Sequence, residues 1–240
     1  ILVSNAYLCS MLERVVTMLA ILAITVVTTV TSAHATRMSM NSGVDHAMHV
    51  ADMMHSPVIS GFDQSALNET DTIRLMRAND DPLTGEGVQA VSPWRFRAPL
   101  SPDLAARKER RELALDRIVS WCLDHIDREV PTVIEGAGGV MSPIASDGLN
   151  LDLIRELDAR PVLVAGSYLG TISHTLTALR VLDGRCTVIL NDHPQSETPV
   201  AETAATISRF ASRADVRVFD PENPGALLDL FESATDTLLD

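Results

Sequence analysis

Lysine is almost absent from this sequence. Of the 19 basic residues in the 240-residue chain, Lys108 is the one lysine, and it lies in the run Arg107–Arg111. That run is short and interrupted by Glu109, a pattern typical of a solvated helix face. Any chemistry that needs a catalytic or phosphate-binding lysine therefore has a single candidate in this chain.

Positive charge is scarce as a whole. The 32 acidic residues outnumber the 19 basic ones, and the formal net charge is −13. Without a basic field to attract phosphates, the composition argues against a nucleic-acid partner and against an anionic membrane surface. Hydrophobic residues make up 46% of the chain, enough for a sizeable core, so wholesale disorder is excluded.

Cysteine is scarce too, since Cys9, Cys122 and Cys186 are the only three and lie far apart. The sequence has no C-x-x-C pair and no Cys/His spacing typical of zinc. Neither a disulfide framework nor a zinc site is indicated, and this fits a reducing compartment.

The character of the sequence changes near residue 56, and we expect an atypical N-terminal segment over 1–55 and an α/β domain over 56–240. Residues 15–33 contain no charged side chain. An A-x-A pattern ending at Ala35 follows them, so residues 11–35 resemble a secretory signal peptide. Export, or membrane contact if this stretch is uncleaved, is therefore an alternative to a cytoplasmic location.

A Met/His-rich segment runs from Met38 to His55. Thioether and imidazole groups suit copper, so a metal site is one interpretation. The other is an amphipathic helix with methionine as core filler, because apolar residues recur there at spacings of three and four.

Beyond this segment, short apolar runs alternate with helical patterns. This alternation predicts a parallel sheet with helices on both faces. The predicted strands are 130–134, 161–165, 186–190 and 216–219, and the predicted helices are 149–157, 171–182 and 200–210. Ligands of such sheets bind at the carboxyl ends of the strands, which places Glu135, Gly166–Ser167 and Asn191–Asp192 along one edge.

The strongest local motif is E-G-A-G-G at Glu135–Gly139. Glycines allow the backbone to approach an anion with its N–H groups, and a neighbouring carboxylate suits a Mg²⁺ ion that bridges phosphates. A flexible turn after a strand is the alternative interpretation of the motif taken alone.

Four longer blocks extend this motif: P-V-I-S-G at 57–61, S-P-W-R-F-R-A-P-L-S-P at 92–102, V-I-E-G-A-G-G-V-M-S-P at 133–143 and P-V-L-V-A-G-S-Y-L-G-T-I-S-H at 161–174. In order and spacing they resemble the motifs of the dethiobiotin synthetase family, over about residues 57–231. The resemblance implies a P-loop NTPase-like α/β fold and a homodimer. It also implies an ATP- and Mg²⁺-dependent carbon–nitrogen cyclo-ligase of biotin biosynthesis, located in the cytoplasm.

The implied reaction joins CO₂, supplied as CO₂ or bicarbonate, to an amine of 7,8-diaminopelargonate. The carbamate attacks the γ-phosphate of ATP, and the second amine then closes a cyclic urea with loss of phosphate. By resemblance Glu135 and Asp71 are Mg²⁺ ligands, with Glu135 also catalytic. Ser60 is a catalytic hydroxyl near the diamine and the transferring phosphoryl group.

Further roles are implied for backbone and amide groups. Gly136, Ala137, Gly138 and Gly139 match the loop that offers N–H groups to the nucleotide, and Asn191 matches an asparagine that reads adenine. A helix start that meets the carboxylate tail of the substrate in the dimer is matched by Gly170, Thr171, Ile172 and Ser173. For His174 we expect a structural role.

The sequence departs from the family at its start. The family motif G-x-x-x-x-G-K-[ST] occurs nowhere, and Ser56 replaces the lysine that precedes P-V. Either residues 1–55 are foreign to the family, in which case the sheet lacks a central strand, or they are a degenerate P-loop. In the second case Val26–Thr28 is the strand, Thr29–Arg37 the loop and Ser42–His55 the helix. Loss of these charge donors predicts little turnover.

The sequence therefore leaves three hypotheses open. The first is a dethiobiotin-forming ligase. The second is a catalytically dead family member, or a fusion or truncation product, that only binds ligands or forms dimers. The third is an exported Met/His metal-binding protein.

Overall fold

A computed structural model of the chain describes residues 24–30, 54–63, 65, 70–78, 81–126, 132–184, 186–191 and 199–219. The Met/His segment as far as Met53 and the signal-like stretch, apart from residues 24–30, lie outside these residues. The chain forms two compact units, one of residues 25–160 and one of residues 161–240 together with 1–24.

The unit of residues 25–160 contains strands and helices in mixed order. They are β1 (Ile24–Val30), β2 (Met54–His55), β3 (Val58–Ser60), α1 (Asp71–Ala78), α2 (Gly85–Val91), β4 (Trp94–Phe96), α3 (Pro102–Lys108), α4 (Leu115–His125), β5 (Thr132–Glu135) and α5 (Asn150–Glu156). The predicted strand at 130–134 and helix at 149–157 are thus both present, with shifted ends.

Strand β5 is the centre of the sheet in this unit. It pairs in parallel with β2, with Met54 opposite Val133, and in antiparallel with β1, with Val27 opposite Glu135. All the side chains of β5 are buried, as expected for a strand with neighbours on both sides. Strands β3 and β4 form a separate parallel pair.

The direction of β1 departs from the fully parallel sheet that the sequence predicted. A strand does lie beside β5, but its last residue, Val30, is opposite Thr132, the first residue of β5. Strand β1 therefore ends where β5 begins, at the far end of β5 from Glu135. Thr29 and Val30 belong to the strand, whereas the rest of the loop predicted over Thr29–Arg37 lies outside the described residues.

The core of this unit forms where α3, α4 and α5 pack with β4 and β5. Helix α4 is amphipathic and buries Ile118 and Cys122. These meet Phe96, Ile134 and Leu153 in one continuous apolar cluster. Burial of these side chains supplies the main stabilising free energy of the unit and holds the end of β5 in place.

The second unit is a regular α/β arrangement. Its elements are β6 (Arg160–Gly166), α6 (Thr171–Val181), β7 (Thr187–Asn191), α7 (Val200–Phe210) and β8 (Asp215–Phe219). The strands pair in parallel in the order β6–β7–β8, with Gly166 opposite Asn191 and Asn191 opposite Phe219. The predicted strands and helices of this region are confirmed, with ends shifted by at most one residue. No helix in the described parts of the chain is both long and apolar enough to cross a membrane.

Candidate functional site

Glu135 is the last residue of β5, and its side chain is only 7% exposed. Burial, and secondly the negative charge of Asp71, raise the pKa of the Glu135 carboxyl to about 8. The sequence predicted a carboxylate at the end of a buried strand, and the structure places it there. At neutral pH without a counter-charge, this carboxyl group is mostly protonated.

Asp71 begins helix α1 and is paired with Arg74, whose Nη1 lies 3.3 Å from Asp71 Oδ1. The side chain is half exposed. Its charge acts on Glu135, so the structure brings together the two acidic residues that the resemblance named. No group of three or more His, Cys, Asp or Glu side chains that could hold a metal occurs among the described residues.

The glycine loop follows Glu135 directly. Gly138 has φ of 84°, in the left-handed region that favours glycine, and a Cβ there would lie 2.6 Å from Ser142 Oγ. A Cβ at Gly136 would lie 2.7 Å from Asn150 Oδ1. The loop therefore needs glycine at both positions, because a Cβ at either one would clash with a neighbouring side chain. At Gly138 the backbone conformation also favours glycine.

Asn150 is a part of this site that the sequence analysis missed. It is 1% exposed, and its Nδ2 donates hydrogen bonds to Ala137 O at 3.0 Å and to Gly139 O at 2.8 Å. The E-G-A-G-G pattern gave no sign of it, because Asn150 lies at the start of the following helix. The only signal in the sequence is that Asn150 is a polar residue at a helix start that is otherwise apolar and buried.

Ser60 ends β3 and is partly buried, opposite Phe96 in the β3–β4 pair. Gly61 follows it with φ of 76°, and its N–H donates to Ala98 O. Within the described part of the chain, no hydrogen bond or ion pair joins Ser60 to Glu135 or Asp71. The fold thus places Ser60 at the end of a strand, beside Phe96 of the neighbouring strand.

Ser56 stands where the family has a lysine. It is 4% exposed, and its N–H donates to Val91 O at 3.2 Å. The position is therefore enclosed by backbone, and the serine brings no cationic group to the site. Its small side chain fits this burial without an unpaired charge.

His55, the last member of the Met/His segment, packs among aromatic rings. Its ring centroid lies 5.4 Å from that of Trp121 and 5.9 Å from that of His125. Burial, and secondly the charge of His125, lower the pKa of His55 to about 4. Among the described residues, neither ring nitrogen has a hydrogen-bond partner. Met54 and His55 form strand β2 and not the end of the helix predicted over Ser42–His55, and the ring of His55 packs in an aromatic cluster.

The remaining predicted site residues belong to the second unit. Asn191 ends β7 beside Gly166, and its carbonyl oxygen accepts a hydrogen bond from the N–H of Ser167. Its side chain is 9% exposed. The structure thus brings Asn191 and Gly166–Ser167 together at one edge of this parallel sheet, as the alternating pattern predicted.

Helix α6 begins at Thr171, after Gly170 in a left-handed conformation with φ of 103°. Thr171 is buried, Ile172 is partly buried and Ser173 is exposed. His174 Nδ1 lies 3.0 Å from the hydroxyl oxygen of Tyr168, so its ring braces the turn before the helix. This contact favours the structural role expected for His174.

A buried acidic strand end followed by a glycine loop, in an α/β fold, is typical of nucleotide-dependent enzymes. The family model described as an AAA domain matches residues 43–219 of the chain, which supports the P-loop NTPase-like fold class.

Curated relatives identify the family within this class. An ATP-dependent dethiobiotin synthetase BioD of Methylobacterium nodulans is 41% identical over 165 residues, which is 65% of this chain and 73% of the relative. That of Phenylobacterium zucineum is 45% identical over 164 residues, or 65% and 69% of the two chains. That of Caulobacter vibrioides is 50% identical over 131 residues, or 54% and 58%. The chain belongs to the ATP-dependent dethiobiotin synthetase family, and the resemblance of the four blocks is confirmed.

Proposed function

We propose that this chain is a dethiobiotin-forming cyclo-ligase of the cytoplasm that uses ATP, CO₂ or bicarbonate, and 7,8-diaminopelargonate. The observation that carries the proposal is the buried carboxyl group of Glu135 directly before the glycine loop, within the range of the charge of Asp71, in a member of this family. Phosphoryl transfer to a carbamate needs a divalent cation beside a phosphate-binding backbone, and this arrangement fits both requirements.

The two carboxylates fit Mg²⁺. This ion is usually held by one or two carboxylates and completes its shell with waters and substrate phosphates, so a third protein ligand is not required. In the part of the chain that the structure describes, no positive charge offsets the burial of Glu135, and a cation would supply one. When bound, Mg²⁺ would neutralise charge on the β- and γ-phosphates. Glu135 would hold it from the end of β5 and Asp71 from the start of α1.

Each unit offers groups that suit one part of a nucleotide. The N–H groups of Gly136, Ala137, Gly138 and Gly139 would face the phosphates, since loops of this kind form concave anion sites. Asn191 would pair with adenine, because an amide can both donate and accept hydrogen bonds. Its burial at the end of β7 limits competition from water.

The substrate diamine would lie near the Ser60 hydroxyl, which can donate a hydrogen bond to the carbamate or to the transferring phosphoryl group. In a homodimer, the carboxylate tail of the substrate would bind at the start of helix α6, which comprises Gly170, Thr171, Ile172 and Ser173. Helix N-termini attract anions through their free N–H groups and the helix dipole.

A catalytically inactive binding protein is the second candidate function. Two observations favour it. Ser56 brings no positive charge, and the end of β1, where the phosphate-binding loop was predicted to begin, lies at the far end of β5 from Glu135. Loss of a single preorganised charge donor commonly costs about 10²- to 10³-fold in rate. Under this alternative, Mg²⁺ and nucleotide still bind, but phosphate is not released.

The test is phosphate release by the purified chain with ATP, Mg²⁺ and bicarbonate, with and without 7,8-diaminopelargonate. Diamine-dependent release that disappears in Glu135→Gln and persists in Glu156→Gln, an exposed glutamate on α5, supports the ligase. Nucleotide binding by calorimetry without release supports the inactive binding protein. If neither release nor Mg²⁺-dependent nucleotide binding is observed, both proposals are wrong.

A further inference from the structure

The side chain of Asn150 bridges alternate carbonyl groups of the glycine loop. Its Nδ2 donates both of its hydrogens, one to Ala137 O and one to Gly139 O. Gly139 O also accepts a hydrogen bond from the N–H of Ser142. A single buried amide thus controls the orientation of two peptide groups in a segment where glycine leaves the backbone free to rotate.

The consequence for the loop follows from peptide geometry. In a planar trans peptide, the carbonyl of one residue and the N–H of the next point in opposite directions. Because Asn150 holds the carbonyls of Ala137 and Gly139 towards the start of α5, the N–H groups of Gly138 and Val140 point away from that helix. Within the described residues, neither of these N–H groups donates a hydrogen bond to another group.

We propose that Asn150 is a positioning residue that holds the glycine loop in its anion-binding conformation, with the N–H groups of Gly138 and Val140 presented to a nucleotide phosphate. The identity of the ligand, a nucleotide phosphate, rests on the proposed function. The control of the loop by Asn150 does not.

A simple helix cap would be the ordinary role for an asparagine at a helix start. Here the first N–H groups of α5 already have other partners. Leu149 N–H donates to Asp152 Oδ2, Asn150 N–H to Ser142 O, and Leu151 N–H to Val140 O. Within the described parts of the chain, the side chain of Asn150 forms hydrogen bonds only to the loop, so helix capping does not explain it.

The unsatisfied oxygen of Asn150 favours the same conclusion. Asn150 Oδ1 is buried and has no hydrogen-bond partner among the residues that the structure describes, and such an atom costs stability. An apolar side chain of similar volume would avoid this cost. An asparagine at this position is therefore explained by the two bonds that its Nδ2 makes to the loop.

The test compares Asn150→Leu with wild type by two measurements on the full chain. Backbone ¹⁵N relaxation reports the order of the Gly138 and Gly139 amides, and calorimetry with Mg²⁺ and ADP reports nucleotide affinity. We expect the order parameters to fall from about 0.85 to below about 0.6, and the affinity to fall about tenfold or more. The midpoint of thermal unfolding should stay within a few degrees, because the lost bonds are offset by removal of the unsatisfied oxygen.

The matched control is Leu153→Ala, one turn further along α5 and buried in the core. It should lower the unfolding midpoint while the loop amides keep their order. A purely structural role for Asn150 predicts the reverse pattern, in which Asn150→Leu loses stability and keeps a rigid loop, and this result would overturn the inference. Asn150→Ser replaces the leucine variant if that variant does not fold.

The two proposals fail separately. If the wild-type chain binds no Mg²⁺–ADP, the nucleotide role is wrong, and the order parameters still decide whether Asn150 controls the loop. If nucleotide binds and the loop of Asn150→Leu keeps its order, the positioning role is wrong and the proposed function stands.

Discussion

The rings of His55 and His125 lie edge to face in the unit of residues 25–160, with centroids 5.9 Å apart and an angle of 80° between their planes. Trp121 stacks on His125 at 4.0 Å, and its carbonyl oxygen accepts a hydrogen bond from His125 Nδ1. Backbone groups of Ala90 and His125 lie near the ring of His55 and partly offset the lowering of its pKa. Neither of them forms a hydrogen bond with the ring. The fold therefore holds His55 in its neutral form.

This relationship predicts that the contribution of His55 to stability is lost in acid. The pKa of His55 is about 4 in the folded chain and 6.5 as its ordinary value, so the unfolded chain binds the proton more readily. Stability is fully present above pH 6.5 and falls as the pH drops towards 4, by about 2 kcal/mol at pH 5. Urea unfolding of wild type and of a His55→Phe variant at pH 7.5 and pH 5 measures this loss, because the opposite contribution of Glu135 is common to both proteins.

His55→Phe should remove the part of the pH dependence that comes from His55, since a phenyl ring keeps the edge-to-face contacts without titrating, and the contribution of Glu135 should remain. The control is His174→Gln, which changes an exposed histidine and should leave the dependence as it is. Equal slopes of stability against pH in wild type and His55→Phe would contradict the role given to His55.

Glu135→Gln should stabilise the protein in the absence of Mg²⁺. The pKa of Glu135 is about 8 in the folded chain against an ordinary 4.5, so folding becomes less favourable as the pH rises from 4.5 to 8. A neutral isostere avoids this penalty. We expect an unfolding midpoint at pH 8.5 that is higher by several degrees, since about 1 kcal/mol shifts the midpoint by 2–4 °C in a chain of this size.

The same variant should lose the stabilisation that Mg²⁺ and nucleotide give to wild type. Thermal scans with and without both ligands measure this effect. Glu156→Gln should behave as wild type in both respects. A Glu135→Gln protein that is destabilised at pH 8.5 would show that the carboxylate is compensated in the fold.

Asn191→Ala should reduce the preference for ATP over GTP. A buried amide that pairs with adenine contributes about 1–2 kcal/mol to the choice of base, which corresponds to about tenfold in the ratio of affinities. Competition calorimetry with the two nucleotides measures this ratio. Thr187→Val, at the start of the same strand, is the control, and an unchanged ratio in Asn191→Ala would remove the adenine assignment.

Gly136→Ala should disturb the loop through Asn150. The new Cβ would lie 2.7 Å from Asn150 Oδ1 and 3.0 Å from its Cγ, so the amide must move. We expect weaker binding of Mg²⁺–ADP, by about tenfold. The double variant Gly136→Ala, Asn150→Ser should bind no more weakly than Asn150→Ser alone, because the shorter side chain makes room. Additive losses in the double variant would show that the two residues act independently.

Much of the fold could be predicted from local pattern. The helix at 200–210 is present with the predicted bounds, and the buried strands of the second unit differ by one residue at most. These elements are specified by nearby residues, through apolar runs and helical periodicity. The same holds for the turn after Glu135, whose glycines are adjacent in the sequence.

Other features needed contacts between distant segments. Strand β1 was predicted as a strand, but its direction depends on how the chain returns to the sheet, which its own residues do not encode. His55 was interpreted as a possible metal ligand because its sequence neighbours are methionines and histidines. In the structure its neighbours are Trp121 and His125, which α4 supplies.

The sequence by itself determined the family, the α/β class and the identity of the acidic and glycine residues, because each is written in short contiguous motifs. The tertiary structure alone decided that Asp71 acts on Glu135 and that Asn150 reaches back to Ala137 and Gly139. Both relationships join residues far apart in the chain, and they arise only when packing of the core brings the ends of β5, α1 and α5 together.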